Sequence, residues 1–301
     1  MEKKAISLAE KRKREVHKAA FIFLLPVTLL MMIYIFYPII DTFITSLYKW
    51  NGISSQKTMT GLRNWEKLIT DKSFWIAFKN NILVMILSIC VQIPIGLALA
   101  TFIDFGGKKM TIFKVLWFIP LLMSSVAIGF LFTYALATNG GIFSAISNLL
   151  GGGNIDLLGN PKTALYTVIG VIAWQFTPFY MVYCMAAYTN ISVDVYEAAV
   201  IDGANRGQYF RKIALPLLAP SLKSAAILSM VGSLKYFDLV YVMTGGGPGT
   251  STELMATYMY KQSFVKFNMG YGSAVAAGMF ILISIVSLLT MRLLNGRKEA
   301  A

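Results

Sequence analysis

Six apolar runs, each long enough to cross a bilayer, alternate with polar segments along this chain. Stretches free of Asp, Glu, Lys and Arg cover 19–40, 80–103, 115–155, 163–193 and 267–291, and another apolar run, 222–243, is interrupted by Lys235 and Asp238. A membrane-crossing helix needs about 20 predominantly apolar residues. Backbone groups in lipid must be satisfied within the segment itself, so each run predicts a helix. The spans are expected at about 19–41, 77–103, 114–137, 163–186, 221–243 and 269–291. Between them lie a basic tail 1–18, a loop 42–75, a basic turn Phe105-Gly106-Gly107-Lys108-Lys109, a glycine-bearing loop 138–162, a polar interlude 187–220, a loop 244–268 and a tail 293–301. The predicted fold is an all-α integral membrane protein with six transmembrane helices. Pro26, Pro94, Pro120 and Pro178 lie within or at the edges of spans, where they are expected to kink helices.

Composition agrees with this pattern. Hydrophobic residues make up 56% of the 301 and charged residues 14%, against about 25% charged in soluble domains. The net charge of +13 suggests nucleic acid until its placement is followed: 17 of the 27 Lys and Arg residues fall in 1–18, 108–114, 206–223 and 292–298. These segments share one side if the N-terminus is cytoplasmic, which is the positive-inside bias of a multi-pass membrane protein. Lys49, Lys57, Arg63, Lys67 and Lys72 in the first outer loop run against it. The first apolar run ends in Pro38-Ile39-Ile40-Asp41 without a small-residue cleavage site, so it reads as an uncleaved anchor. Cys90 and Cys184 fall in spans and are expected to be buried small residues. Trp50, Trp65 and Trp75 flank the first two spans, where interface anchoring or loop packing is expected.

The interlude is the informative segment. From Tyr196 it carries Glu197-Ala198-Ala199, then Asp202-Gly203-Ala204, then Phe210, Ile213 and Leu215-Pro216. Ser192 or Asp194 can cap a short helix starting near Val193 and running to about Ile201. Gly203 permits a turn that a side chain would obstruct. A second helix, about 205–213, is expected to end before Leu215-Pro216, because a residue preceding proline is pushed out of helical conformation. This signature resembles the EAA loop of ABC importer permeases. The resemblance implies a type I ABC importer permease fold, with 187–220 as a cytoplasmic coupling loop seated in a cleft of an ATPase subunit. Glu197 would meet a basic residue there, and Ala198, Ala199, Asp202, Gly203, Ala204, Phe210 and Pro216 would complete the coupling surface.

The likeness extends further. Phe237-Asp238-Leu239-Val240-Tyr241-Val242-Met243-Thr244-Gly245-Gly246-Gly247-Pro248, Tyr258-Met259-Tyr260 and Gly61-Leu62-Arg63-Asn64-Trp65 resemble the first permease subunit of carbohydrate importers, of the maltose, lactose and glycerol-3-phosphate type. That implies a heterodimer with a second permease, an ATPase dimer, an external solute-binding protein and a bacterial cell membrane with both termini cytoplasmic. The resemblance places sugar contacts at Gln175, Phe176, Phe179, Gly232, Ser233 and Tyr236; Trp174, an aromatic face beside them, and the mid-span Lys235 and Asp238 are further substrate-binding candidates.

No catalytic or metal constellation is visible: the single histidine, His17, sits in the basic tail. The glycine-rich 245–251 lacks the lysine of a phosphate loop and reads as a turn. The chain itself is expected to bind no cofactor, ATP and Mg being handled by the partner ATPase. Lys235 and Asp238, three apart, are expected to pair on one helical face, or Lys235 to meet an acidic or phosphorylated substrate. Oligosaccharide, acidic plant-wall fragment and glycerol-3-phosphate all stay open. An ATP-independent secondary transporter would call for ion-coupling carboxylates within spans, of which Asp238 is essentially the sole candidate; a subunit with no pathway of its own is the third reading.

Overall fold

The computed structural model describes residues 2–106 and 110–295. The turn residues Gly107, Lys108 and Lys109 and the end of the C-terminal tail lie outside the described residues. Among the described residues five helices are long and apolar enough to cross a membrane, six if one bent pair counts as a single span. The chain divides into two compact units, residues 1–69 with 262–277 and residues 70–261 with 278–301.

The first unit begins with helix α1 (Glu2–Met31), a π turn (Met32–Phe36) and α2 (Tyr37–Thr45). The basic tail and the first apolar run are thus one helix, with no break between residues 18 and 19. The π turn immediately precedes Tyr37-Pro38, and the Tyr37 N–H bonds to the Met32 carbonyl, five residues back. Widening the turn makes room for a proline ring that would otherwise strike the carbonyl four residues earlier. The loop that follows pairs β1 (Tyr48–Lys49) with β2 (Thr58–Met59) and leads into α3 (Arg63–Thr70). Asn64 donates to the carbonyls of Ser46 and Tyr48, at 2.8 and 2.9 Å. Trp65 donates to the Ser46 hydroxyl and stacks on Phe43. Trp50 donates to the Ser54 carbonyl beneath the Lys57 ammonium. Loop packing accounts for these two tryptophans.

The second unit is organised around α4 (Lys72–Gly106) and α8 (Ala164–Tyr188). They approach closely at Gly96, where a Cβ would lie 2.8 Å from Tyr180 Cβ and 2.9 Å from the Met181 amide nitrogen. Neither neighbour can yield without moving the helix. Gly96→Ala is therefore expected to lower the unfolding temperature of the purified protein, overpacking costing about 1–3 kcal/mol. Gly170→Ala, on the same α8 but with nothing within 4 Å of its Cβ, is the control that should leave it unchanged.

The span expected at 114–137 is instead two helices, α5 (Thr111–Leu122) and α6 (Ser125–Ala135), bent by 93°. Met123 is extended, and the Ser124 hydroxyl caps α6 by accepting from the Val126 N–H, so the chain restarts its helix here rather than merely kinking at Pro120. The loop 138–162 contains a helix that the sequence reading missed, α7 (Ile142–Leu149). Its Ser144 is buried and bonded to the Ala137 and Ile155 carbonyls, while Ile142, Phe143 and Ile146 are exposed.

After α8 come α9 (Val193–Ile201), α10 (Arg206–Tyr209), a second π turn (Phe210–Ala214) and α11 (Leu215–Leu234). The helix does not end before Leu215-Pro216 as expected. Leu215 is helical, and its N–H reaches back five residues to the Phe210 carbonyl, so the π turn again absorbs the proline and the chain continues into α11.

The run 221–243 breaks in its second half: α11 stops at Leu234, and α12 (Asp238–Met243) begins after three non-helical residues. Buried Asn81 of α4 closes the break. Its amide donates to the Ser233 and Leu234 carbonyls at 3.2 and 3.1 Å, and its oxygen accepts from the Met255 N–H at 2.8 Å. Met255 opens α13 (Met255–Tyr260), which a π turn (Lys261–Val265) follows. Finally α14 (Met269–Asn295) is shared between the two units. Gly245, Gly246 and Gly249 all have positive φ, so the glycine-rich segment is a turn.

Candidate functional site

Two features of the second unit hold the residues that the sequence singles out. The first is the interlude. The Ser192 hydroxyl accepts from the Asp194 N–H at 3.2 Å, so Ser192 is the cap and α9 starts where expected. At its other end the Gly203 N–H bonds the Val200 carbonyl and the Ala204 N–H bonds the Ala199 carbonyl, with Gly203 at φ +78. Those two bonds around a left-handed residue are a Schellman cap. The order of residue types follows from it: a small buried Ala199, a glycine at the left-handed position, then an apolar Ala204 packing back on the same cluster. Asn205 and Gln208 then form a reciprocal capping box at 2.8 and 2.9 Å, which starts α10.

The underside of this helix–turn–helix is apolar. Ala199, Tyr209, Ala214 and Leu218 pack with Leu97, Ala100, Met181 and Cys184, and Phe210 rests against them. Tyr209 meets Tyr196 edge-on at 5.0 Å, and the Arg206 guanidinium lies over the Phe105 ring. The outer surface is open and mixed in character: Glu197, Ala198, Asp202 and Pro216 are exposed, together with the apolar Val200 and Ile201. No described residue forms an ion pair with Glu197. A cleft of about 400 Å³ opens between the end of α4 and this element, lined by Asp104, Tyr188, Tyr196 and Arg206 among others.

The second feature is a cavity of about 150 Å³ among α4, α8 and α11, which brings together Phe176, Gly232, Ser233 and Tyr236. It adds Ile172 and three residues with polar groups that the sequence reading missed: Gln92, Tyr180 and Ser229. The Ser229 hydroxyl donates to Gln92 Oε1 at 3.5 Å. Phe176 and Tyr236 meet edge-on at 5.9 Å. The Tyr236 hydroxyl faces Ser125 without reaching hydrogen-bonding geometry. Gln175, although buried, points elsewhere: its amide donates to the Ser125 hydroxyl at 3.2 Å, and its oxygen has no partner among the described residues.

Other expected residues lie apart. Trp174 packs edge-on against Phe132, Phe179 pairs with Tyr180 and Tyr183, and both are exposed. Lys235 and Asp238 are exposed and form no ion pair with each other. Their spacing places them on one face only within a continuous helix, and the helix ends between them.

Residues 92–299 match the family described as the binding-protein-dependent transport system inner membrane component. The chain belongs to that family. Among relatives of this permease is the trehalose/maltose transport system permease protein MalF of Thermococcus litoralis, 29% identical, covering 97% of this chain and 99% of the relative. Two solved structures share its fold. One is a bacterial ABC transporter involved in the import of the acidic polysaccharide alginate, with TM-score 0.80 and 21% identity over 98% of this chain and 100% of that one. The other is a bacterial alginate ABC transporter in complex with an alginate pentasaccharide-bound periplasmic protein, with TM-score 0.80 and 22% identity over 96% of each chain. The fold of the permease is therefore that of type I ABC importer permeases.

The missed cavity residues carried a readable signal. Gln92 is an uncharged polar residue in mid-run, Tyr180 follows Phe176 by four residues and Ser229 precedes Ser233 by four, the spacings that share a helical face.

Proposed function

We propose that this permease carries an oligosaccharide or related glycoside across the bacterial cell membrane by alternating access. It pairs with a second permease, an ATPase dimer grips the element built by α9 and α10 at the cytoplasmic face, and an external solute-binding protein delivers the sugar. Both termini are cytoplasmic. The chain hydrolyses nothing; ATP and Mg are used by the ATPase subunits. The observation that carries this reading is the preformed interlude: both its helices are capped, its underside is fixed by apolar packing, and Glu197 stands exposed with no ion-pair partner among the described residues. A rigid lever with an open carboxylate is what a motor subunit needs in order to bias a two-state membrane bundle. The names of the relative and of the solved structures support the sugar class, as does a cavity that combines aromatic faces with hydroxyl and amide groups.

Glu197→Lys tests it. Losing one partner of a buried charge pair costs about 2–5 kcal/mol, so uptake by the assembled transporter should fall more than tenfold, with the amount of permease in the membrane unchanged. Normal uptake by this variant would remove the coupling role.

A further inference from the structure

The cavity beside Ser233 and Tyr236 is small. Its volume of about 150 Å³ falls below the roughly 300 Å³ at which pockets for small molecules begin. A substrate of several sugar rings needs more surface than this, and the chain supplies one directly after Tyr236. Phe237 and Tyr241 stack face to face at 5.0 Å with 16° between their planes. Tyr260, from α13, closes on both, at 5.5 Å from Phe237 and 5.1 Å from Tyr241. The Tyr241 and Tyr260 rings meet edge-on, with 72° between their planes.

Tyr241 is 38% exposed, so the cluster has an open side rather than a filled one. Lipid contact is one use for exposed aromatic rings in a membrane protein, but the charges here point away from it. Asp238 starts α12 next to Phe237, Lys235 stands at the preceding helix break, and both are exposed. Charged groups within a spanning segment face water-filled or protein-lined space rather than hydrocarbon. On α12, Leu239, Val240 and Met243 take the buried side and leave Asp238 and Tyr241 on the open one.

We propose that Phe237, Tyr241 and Tyr260 form a second sugar subsite, an aromatic platform on which one ring of an oligosaccharide stacks while another occupies the cavity at Ser233 and Tyr236. The apolar C–H face of a sugar ring meets the aromatic faces, and its rim hydroxyls meet the phenols and the flanking Asp238 or Lys235. This rests on the reading of the chain as an oligosaccharide permease. It extends that reading by making affinity depend on chain length. The platform forms because the helix breaks at 235–237: a continuous helix would keep Phe237 in register with the faces of α11, whereas the break hands it to α12 and Tyr260.

The test uses the native cell with its complete transporter. The medium contains a partial enzymatic digest of a plant-wall polysaccharide, and depletion of each oligosaccharide is followed by mass spectrometry in wild type, a deletion of the gene, and Tyr241→Ala, Tyr260→Ala and Tyr241→Phe strains. If deletion stops uptake of a set of oligosaccharides, the two alanine variants should raise the concentration for half-maximal uptake about tenfold for the longest of them, and by less for the shortest. A tenfold change corresponds to one good ring contact. Tyr241→Phe keeps the stacking surface and should stay within about fivefold of wild type, since an average hydrogen bond contributes only about 1 kcal/mol. Equal losses at every length, or no loss, with permease levels unchanged, would overturn the subsite and leave the permease reading intact. Uptake of every oligosaccharide unaffected by the deletion itself would overturn the permease's sugar role, and the subsite with it.

Discussion

Uptake should be nearly abolished by Gly203→Val, with the permease still inserted in the membrane. Gly203 sits at φ +78, and a Cβ built there meets nothing within 4 Å. The penalty is therefore conformational rather than steric against neighbours. The left-handed region costs an ordinary L-residue about 1–2 kcal/mol, and a branched Cβ makes it a genuine outlier. Valine would drive the turn out of the left-handed basin, and both capping bonds, from Gly203 to Val200 and from Ala204 to Ala199, depend on that turn. Losing them frees α9 from α10 and lets Glu197 wander, so the lever no longer transmits. Transport normalised to the amount of permease should drop at least tenfold. Gly203→Asn is the informative companion, because asparagine tolerates the left-handed conformation, and it should keep most of the uptake. Equal activity in valine and glycine forms would show that the turn does not couple.

The largest effect on stability is expected at Asn81. Asn81→Leu conserves volume but removes every polar contact of a fully buried side chain. The carbonyls of Ser233 and Leu234 and the N–H of Met255 would lose that partner, and each buried group left unsatisfied costs about 1–3 kcal/mol. The Ser233 carbonyl keeps its bonds from the Lys235 and Tyr236 N–H groups, so the Leu234 carbonyl and the Met255 N–H carry the loss, still a large share of the about 5–15 kcal/mol that keeps a domain folded. The leucine form should be largely missing from the membrane, or unfold at a much lower temperature in detergent. Asn81→Asp keeps an acceptor for Met255 while losing the donors to the two carbonyls, and should fall between. A leucine variant as stable as the wild type would mean that the break at 235–237 needs no pin.

Apolar run length carried the membrane class and most of the spans, because a lipid-crossing helix leaves a signal that tolerates almost any side-chain detail. The interlude was legible for a different reason. Ser192, Ala199, Gly203 and Ala204 each meet a local backbone requirement, so their types could be read in order without knowing what surrounds them. What stayed hidden depends on partners distant in sequence. Whether Pro120 kinks or breaks its span turns on the extended Met123 and the cap at Ser124. The end of α11 at Leu234 is sealed by Asn81, 152 residues away from Ser233, so Lys235 and Asp238 looked like neighbours on a helix that does not exist there. The π turn at 210–214 escaped because the pre-proline rule predicts a stop before Leu215-Pro216, whereas one extra residue in the turn lets the helix absorb the ring, as it also does before Tyr37-Pro38. In the cavity, the helical spacing that gathers Gln92, Tyr180 and Ser229 was present, but it became meaningful only once the faces of α4, α8 and α11 were known to converge.

Ile201 is 84% exposed at the end of α9, on the surface that the ATPase is proposed to hold. Placing a photocrosslinking amino acid at that position in living cells and sequencing whatever becomes attached is the most direct measurement. Adducts should form with a nucleotide-hydrolysing subunit, and membrane-impermeant reagents applied from outside should not reach the same position. Labelling from outside, or adducts confined to extracellular proteins, would contradict the placement of the lever and everything built upon it.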